Sequence, residues 1–283
     1  MISCKLQGGL GNQLFQIYTA ISYAINSQNK FFFYNIYELK NAITNRHTYW
    51  NTFLISLKPF LRELEPINPA NLLVFKEKGF TYHPLPINRE QKTKILNGYF
   101  QSPKYFNDHA PTINRLLKID TFKAIMNNRF SELINTYQPI SMHFRLGDYK
   151  KLPEHFIILG EDYYKAAISC ILNNLDNMQT NKVKILYFCE NSDTEEVEKM
   201  IFLLRIDFPE ITFERADPLL EDWEQLILMS ICRYNIIANS TFSWWGAYLN
   251  TYRQKRVVYP LKWFGPKQPH NTKDLFPEDW IGL

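Results

Sequence analysis

The sequence predicts an α/β protein of two halves, each built on parallel strands, and three stretches carry that expectation. The chain opens as strand, glycine loop, helix, strand, which is a βαβ unit. Ile2 to Leu6 is a short apolar run, Gln7-Gly8-Gly9-Leu10-Gly11-Asn12-Gln13 follows, and Leu14, Ile17, Tyr18, Ile21 and Ala24-Ile25 then share one helical face before the strand Lys30 to Tyr34. In the second stretch Ile140, Met142 and Phe144 alternate with Ser141, His143 and Arg145, the period of a strand with two different faces. The third is a buried strand over Tyr234 to Ala238 with a helix starting at Ser240 or Thr241. The break falls near Tyr137-Gln138-Pro139, giving domains of residues 1–138 and 139–283.

A chain of 283 residues with 46% hydrophobic content can form one large domain or two ordinary ones, with a real core in either case. Its formal charge of +4 is far from the basic excess of a nucleic-acid coat, so no nucleic acid is expected as partner. Cys4, Cys170, Cys189 and Cys232 stand apart with no CxxC pair, which speaks against a zinc site or a disulfide framework and for reduced thiols. The N-terminal Met1-Ile2-Ser3-Cys4-Lys5 lacks an apolar h-region, and no run approaches the roughly 20 apolar residues that span a bilayer. The expected location is cytoplasmic.

In open α/β sheets ligands bind beyond the carboxyl ends of the strands, so the polar residues at those ends are the candidates. Gly9 and Gly11 let a ligand approach the backbone, with Asn12 as the polar contact of the loop. The GxGxxG fingerprint fails at its third glycine, where Leu14 stands, and Asn35 ends the second strand in place of an acid. His143 and Arg145 point the same way at the end of their strand, and Asp148 follows a turn at Gly147. Arginine is a permanent forked donor for phosphate, and histidine adds an orientable donor or acceptor. A purely structural Arg145–Asp148 pair is the alternative.

Val183 to Cys189 reads as a strand that stops at Glu190-Asn191-Ser192-Asp193. Glu190 is the functional candidate there, because Ser192 or Asp193 is as well explained as a helix N-cap. Asp222 either caps the helix Glu221 to Ile231 or reads a base. In Asn239-Ser240-Thr241-Phe242-Ser243 the helix amides face no glutamate or glutamine of a capping box, which suits an incoming phosphate. Trp244 and Trp245 read as core wedges, and Gly246 within the helix implies close packing. Prolines at 59, 66, 69, 84, 86, 103 and 111 break up the middle of the chain, where only a strand over Lys94 to Tyr99 and a helix over Asp120 to Tyr137 stand out. No Asp-x-Asp, GxxxxGK[ST] or HExxH occurs, so a bound diphosphate would have to be neutralised by Arg145 and the Ser240–Phe242 amides.

Together, Gly8-Gly9-Leu10-Gly11-Asn12-Gln13-Leu14-Phe15-Gln16, His143-Phe144-Arg145-Leu146-Gly147-Asp148-Tyr149, Phe188-Cys189-Glu190 and Asn239 to Leu249 resemble the α-1,2-fucosyltransferases of glycosyltransferase family 11. The resemblance implies a GT-B-like α/β architecture, two Rossmann-like domains facing across a cleft, with the first on the acceptor side and the second binding the donor. It implies GDP-β-L-fucose as donor, a β-galactoside acceptor glycan, inversion, and no metal or other cofactor. It further implies that Arg145 grips the β-phosphate, His143 helps hold the nucleotide, Asn12 faces the fucose, and Ser240-Thr241-Phe242 supplies phosphate-binding groups. Glu190 and Asp222 become ribose and guanine contacts, and Asp148 is either the base or the anchor of Arg145. Leu146 stands where animal members often carry a second arginine. Peripheral contact with an inner membrane carrying a lipid-linked acceptor is left open. So are two other classes, an NAD- or nucleotide-dependent oxidoreductase using the glycine loop and a non-catalytic glycan-binding protein.

Overall fold

The computed structural model describes residues 1–40, 45–88, 90–173 and 182–283. The chain divides into two compact units, Met1–Thr121 with His270–Pro277, and Phe122–Pro269 with Glu278–Leu283. Among the described residues no helix is long and apolar enough to cross a membrane.

The N-terminal unit follows the βαβ plan. Strand β1 (Ile2–Cys4) leads through the glycine loop into helix α1 (Leu10–Asn26) and on to β2 (Phe33–Tyr34). The short strands β3 (Glu38–Leu39), β4 (Arg46–His47) and β5 (Leu61–Arg62) follow, and then β6 (Leu72–Lys76), β7 (Thr93–Asn97) and helix α2 (Ala110–Leu116). The main sheet has the order β1-β7-β6, all parallel. A parallel bridge from Ile2 to Phe31 brings the approach to β2 alongside β1.

Helix α1 differs from the one-faced helix expected from its apolar positions. From Leu10 to Ala24 every residue but Asn12 is buried, including Gln13, Gln16, Thr19 and Ser22. A helix buried all round has to find partners for its polar side chains within the protein. The two glutamine amides find theirs in the main chain, while among the described residues Gln13 Oε1 and Thr19 Oγ1 have none. Gln13 Nε2 donates to Gly8 O at 3.0 Å and to His47 O at 2.8 Å, while Gln16 brackets the main chain of Gln7, accepting from its N–H at 3.0 Å. These glutamines therefore hold the glycine loop from behind.

The C-terminal unit begins within helix α3 (Ile119–Arg129), where a single helix to Tyr137 was expected. A break at Phe130 separates α3 from α4 (Ser131–Thr136). The elements β8 (Gln138–His143), α5 (Glu161–Leu172), β9 (Val183–Phe188), α6 (Thr194–Asp207), β10 (Thr212–Arg215), α7 (Asp222–Ile231), β11 (Tyr234–Ile236), α8 (Thr241–Tyr248), β12 (Val257–Tyr259) and β13 (Ile281–Gly282) follow. The strands form one parallel sheet in the order β10-β9-β8-β11-β12-β13. Counted within the sheet this is 3-2-1-4-5-6, the doubly wound order, and the connections reverse direction between β8 and β11.

The two faces of β8 are not an inside and an outside. Ser141 and His143 are as buried as Ile140 and Met142, because helices cover both sides of a parallel sheet. Ser141 pairs in register with Asn235, whose Nδ2 donates to Ser141 Oγ at 2.7 Å and to Met229 O at 2.9 Å. Asn250 Nδ2 in turn donates to Asn235 Oδ1 at 2.8 Å. A one-residue slip of β11 would leave these buried amides unpartnered, so the network fixes the register of the two central strands.

Trp244 and Trp245 are fully buried, as the wedge reading expects. Trp244 stacks on Tyr248 with ring centroids 4.8 Å apart and meets Trp280 at 5.5 Å. A methyl group on Gly246 would lie 2.8 Å from Met229 Cβ, so the bare glycine is what lets α8 approach α7.

Candidate functional site

The loops that leave β8 and β11 emerge side by side at the switch point of the C-terminal sheet. After β8 the chain runs through Arg145 and turns at Gly147, whose φ of +30° is a conformation that glycine tolerates best. Its N–H donates to Asp193 Oδ2 at 2.7 Å, and Lys150 Nζ lies 3.0 Å from Asp193 Oδ1. Asp193 is thus an internal anchor of the Arg145 loop. It stands at the N-cap position of α6 but makes no capping bond with its side chain, so the N-cap alternative for it does not hold.

Tyr149 joins the two loops. Its hydroxyl donates to Asn239 O at 2.9 Å, its ring stacks on Phe156 at 4.1 Å, and the Arg145 guanidinium lies over it at 5.1 Å. Asn239 is buried, its Nδ2 donating to Ile157 O at 2.9 Å and Trp263 O at 3.0 Å. Ser240 is the N-cap of α8, accepting from Phe242 N–H at 3.3 Å, and Thr241 begins the helix. Ser243 points inward, its Oγ within 3.5 Å of Ala238 O and 3.4 Å of Ser240 O. On the β8 side the His143 ring meets the Phe242 ring at 5.6 Å.

Arg145 is mostly buried and holds two carboxylates, Glu190 Oε1 on Nη1 and Asp148 Oδ1 on Nη2. Burial opposes its charge, but Glu190, Tyr149 and Asp148 around it outweigh burial and raise its pKa above the ordinary value. The pair with Asp148 forms as the structural alternative described it, and Glu190 shares the same guanidinium.

His143 is buried, and among the described residues its Nδ1 has no hydrogen-bond partner. Burial first, and the charge of Arg145 second, lower its pKa to about 3, so the ring is neutral at physiological pH. The unfolded chain, with an ordinary value of 6.5, binds a proton that the folded chain refuses until about pH 3. Its contribution to stability is therefore complete above pH 6.5 and is lost as pH falls toward 3. Replacing His143 by glutamine should flatten the fall of the thermal midpoint over that window. An unchanged slope would mean that the ring is not held neutral.

In the C-terminal unit Asp222 begins α7 but does not cap it. Glu221 and Glu224 form a capping box, and Asp222 Oδ1 accepts from Trp223 N–H at 2.7 Å. In the N-terminal unit Gly9 is the N-cap of α1 and Gly11 is buried in its first turn. The glycine with the strictest requirement is Gly8, at φ +80° and with a hypothetical Cβ only 2.4 Å from Asn12 Nδ2. Asn12 Oδ1 accepts from Gln101 Nε2 at 2.9 Å. Among the described residues no group of three or more His, Cys, Asp or Glu is arranged to hold a metal ion.

A guanidinium, a neutral imidazole and a helix N-terminus are gathered at the switch point of a parallel sheet, groups whose chemistry suits an anion. Comparison supplies the class. Residues 75–283 match the model of Glycosyl transferase family 11, and the chain belongs to that family. It is a glycosyltransferase, which sets aside the oxidoreductase reading of the glycine loop. It is 28% identical over 309 residues to an alpha-1,2-colitosyltransferase of Escherichia coli, covering 100% of this chain and 99% of that one. It is also 29% identical over 324 residues to the O-antigen biosynthesis glycosyltransferase WbnK of Escherichia coli, with both chains covered completely. Among solved structures, Arabidopsis thaliana FUT1 in complex with GDP matches over 91% of this chain and 69% of that one, with TM-score 0.51 and 11% identity. At that identity the likeness is one of fold, the α/β GT-B type.

Proposed function

We propose that the protein moves L-fucose from GDP-β-L-fucose to the 2-hydroxyl of a terminal β-galactose on a surface-glycan precursor, inverting the anomeric carbon and using no metal. The observation that supports this best is the bond from Tyr149 to Asn239 O, which ties the Arg145 loop to the N-terminus of α8. As the bond from C1 to the diphosphate breaks, negative charge grows on the β-phosphate, and donors already in position stabilise it there. Arg145 is the main such donor. The Phe242 N–H joins it by exchanging a long bond to Ser240 Oγ for one to phosphate. Neutral His143 holds the nucleotide through its unmatched Nδ1. Asp148 orients the guanidinium; a carboxylate committed to that pair is a poor proton acceptor, which favours the anchoring role over that of base. Thr241, Ser240 and the Asn239 main chain complete the donor side, with Glu190 beside Arg145 and Asp222 as contacts to the nucleoside.

A second donor is favoured by one finding, the full-length likeness to an alpha-1,2-colitosyltransferase. Colitose is fucose without its 3-hydroxyl, so the two donors present the same diphosphate to Arg145. Incubation with GDP-fucose or GDP-colitose and a panel of β-galactosides, followed by linkage mapping, tests both readings. The expected product is an α-1,2 linkage from GDP-fucose. Faster transfer from GDP-colitose would replace the donor, and release of GDP from neither would overturn the proposal.

A further inference from the structure

The glycine loop carries an amide whose orientation is set from outside the loop. Gln101 Nε2 donates to Asn12 Oδ1 at 2.9 Å, so the Asn12 carbonyl is occupied and its Nδ2 hydrogens are the end left to serve a ligand. Asn12 is the only residue from Leu10 to Ala24 of α1 that is not buried, and it stands in the first turn, where the helix leaves the loop. Gln101 is itself buried, and it follows an unusual turn. Phe100 has a φ of +52°, a left-handed conformation that costs a side-chain-bearing residue energy. That turn is held by Glu77, at the end of β6. Its two carboxylate oxygens accept from Tyr99 N–H at 2.7 Å and Phe100 N–H at 2.8 Å. A Cβ on Gly98 would fall 2.3 Å from Glu77 Cβ, so the strap fits only because that position is glycine.

We infer that Gln101 is a positioning residue, held by Glu77, that makes Asn12 a hydrogen-bond donor to a sugar oxygen of the transfer reaction. The inference rests on the fucosyl-transfer reading. It goes beyond it in assigning the polarity of the contact: Asn12 faces an acceptor atom such as a hydroxyl or ring oxygen, and it does not take up the proton of the attacking hydroxyl. Gln101→Glu inverts the arrangement. A carboxylate there accepts from Asn12 Nδ2, turns the amide over and presents its carbonyl to the ligand.

Two measurements test this, one of them independent of any donor sugar. In side-chain amide hydrogen exchange by NMR, the Gln101 Nε2 hydrogens should be protected and the Asn12 Nδ2 hydrogens should exchange faster. In Gln101→Glu the Asn12 hydrogens should become the protected pair. Protection of Asn12 with fast exchange at Gln101 in the unsubstituted protein overturns the assignment.

In transfer assays with GDP-fucose and a β-galactoside, Gln101→Glu should lower kcat/KM about tenfold or more, as expected on losing a positioned donor. Affinity for GDP should be unchanged. In an Asn12→Ala background the same substitution should cost nothing further, since the two residues act as one unit. A merely structural glutamine would instead add its full loss in both backgrounds and lower the thermal midpoint. Gln101→Met, close in size and without a donor, serves if the glutamate variant does not fold, with a smaller loss and the same lack of additivity. If the unsubstituted protein transfers neither sugar, the functional reading fails while the exchange measurement still decides the orientation.

Discussion

Alanine at position 145 should leave a folded protein that transfers sugar at least about a hundredfold more slowly, the scale seen when one preorganised donor to developing charge is removed. The fold should survive because Glu190, left without its partner, has a side chain 46% exposed and can turn to water. Lysine at 145 restores the charge but not the fork, and it should recover only part of the loss. The measurements are kcat/KM with GDP-fucose, GDP affinity and the thermal midpoint. Near-normal turnover in the alanine variant would remove Arg145 from the leaving-group role.

The second large effect is on stability. Trp244→Ala deletes a fully buried ring that packs on Trp245, Tyr248 and Trp280, and a loss of about 3–5 kcal/mol is expected for a core aromatic. For a unit of this size that is a drop of roughly ten degrees in thermal midpoint. GDP protection against unfolding should weaken with it, because Ser240 to Ser243 lie in the same helix start. Trp223, half-buried at the start of α7 and touching Phe122 at 5.2 Å, is the control and should lose much less. Equal losses at the two positions would mean that α8 is not the keystone of its unit.

How far the sequence announces these features depends on whether the signal is local. The glycine loop, the strand over Ile140 and Met142 and the tryptophan pair are each legible within ten residues. Helix α1 is legible in position but not in burial, since counting apolar positions ignores glutamines whose amide groups bond the main chain of Gln7, Gly8 and His47. Strand β6 goes unread because it is half-exposed on both faces at the edge of its sheet, so neither alternation nor a continuous buried run marks it. Asp193 looks like an N-cap because its use lies 46 residues away, on Gly147. Tyr149 and Gln101 are missed for the same reason. Their partners, Asn239 and Asn12, are 90 and 89 positions distant, and nothing beside either residue announces the pairing.

The two carboxylates on Arg145 give the resting protein a counterion of its own. On the proposed function a nucleotide diphosphate would not enter an open cationic pocket; it would trade places with Glu190, which follows β9, and weaken the grip of Asp148, three residues along the same loop. Such an exchange favours a ligand with several negative oxygens over one with a single charge, because only the former offers more than the incumbents already supply. With both carboxylates in place the cluster carries a net negative charge, one guanidinium against two carboxylates, and has little pull on stray phosphate. In the proposed reaction the returning glutamate would help evict the spent nucleotide.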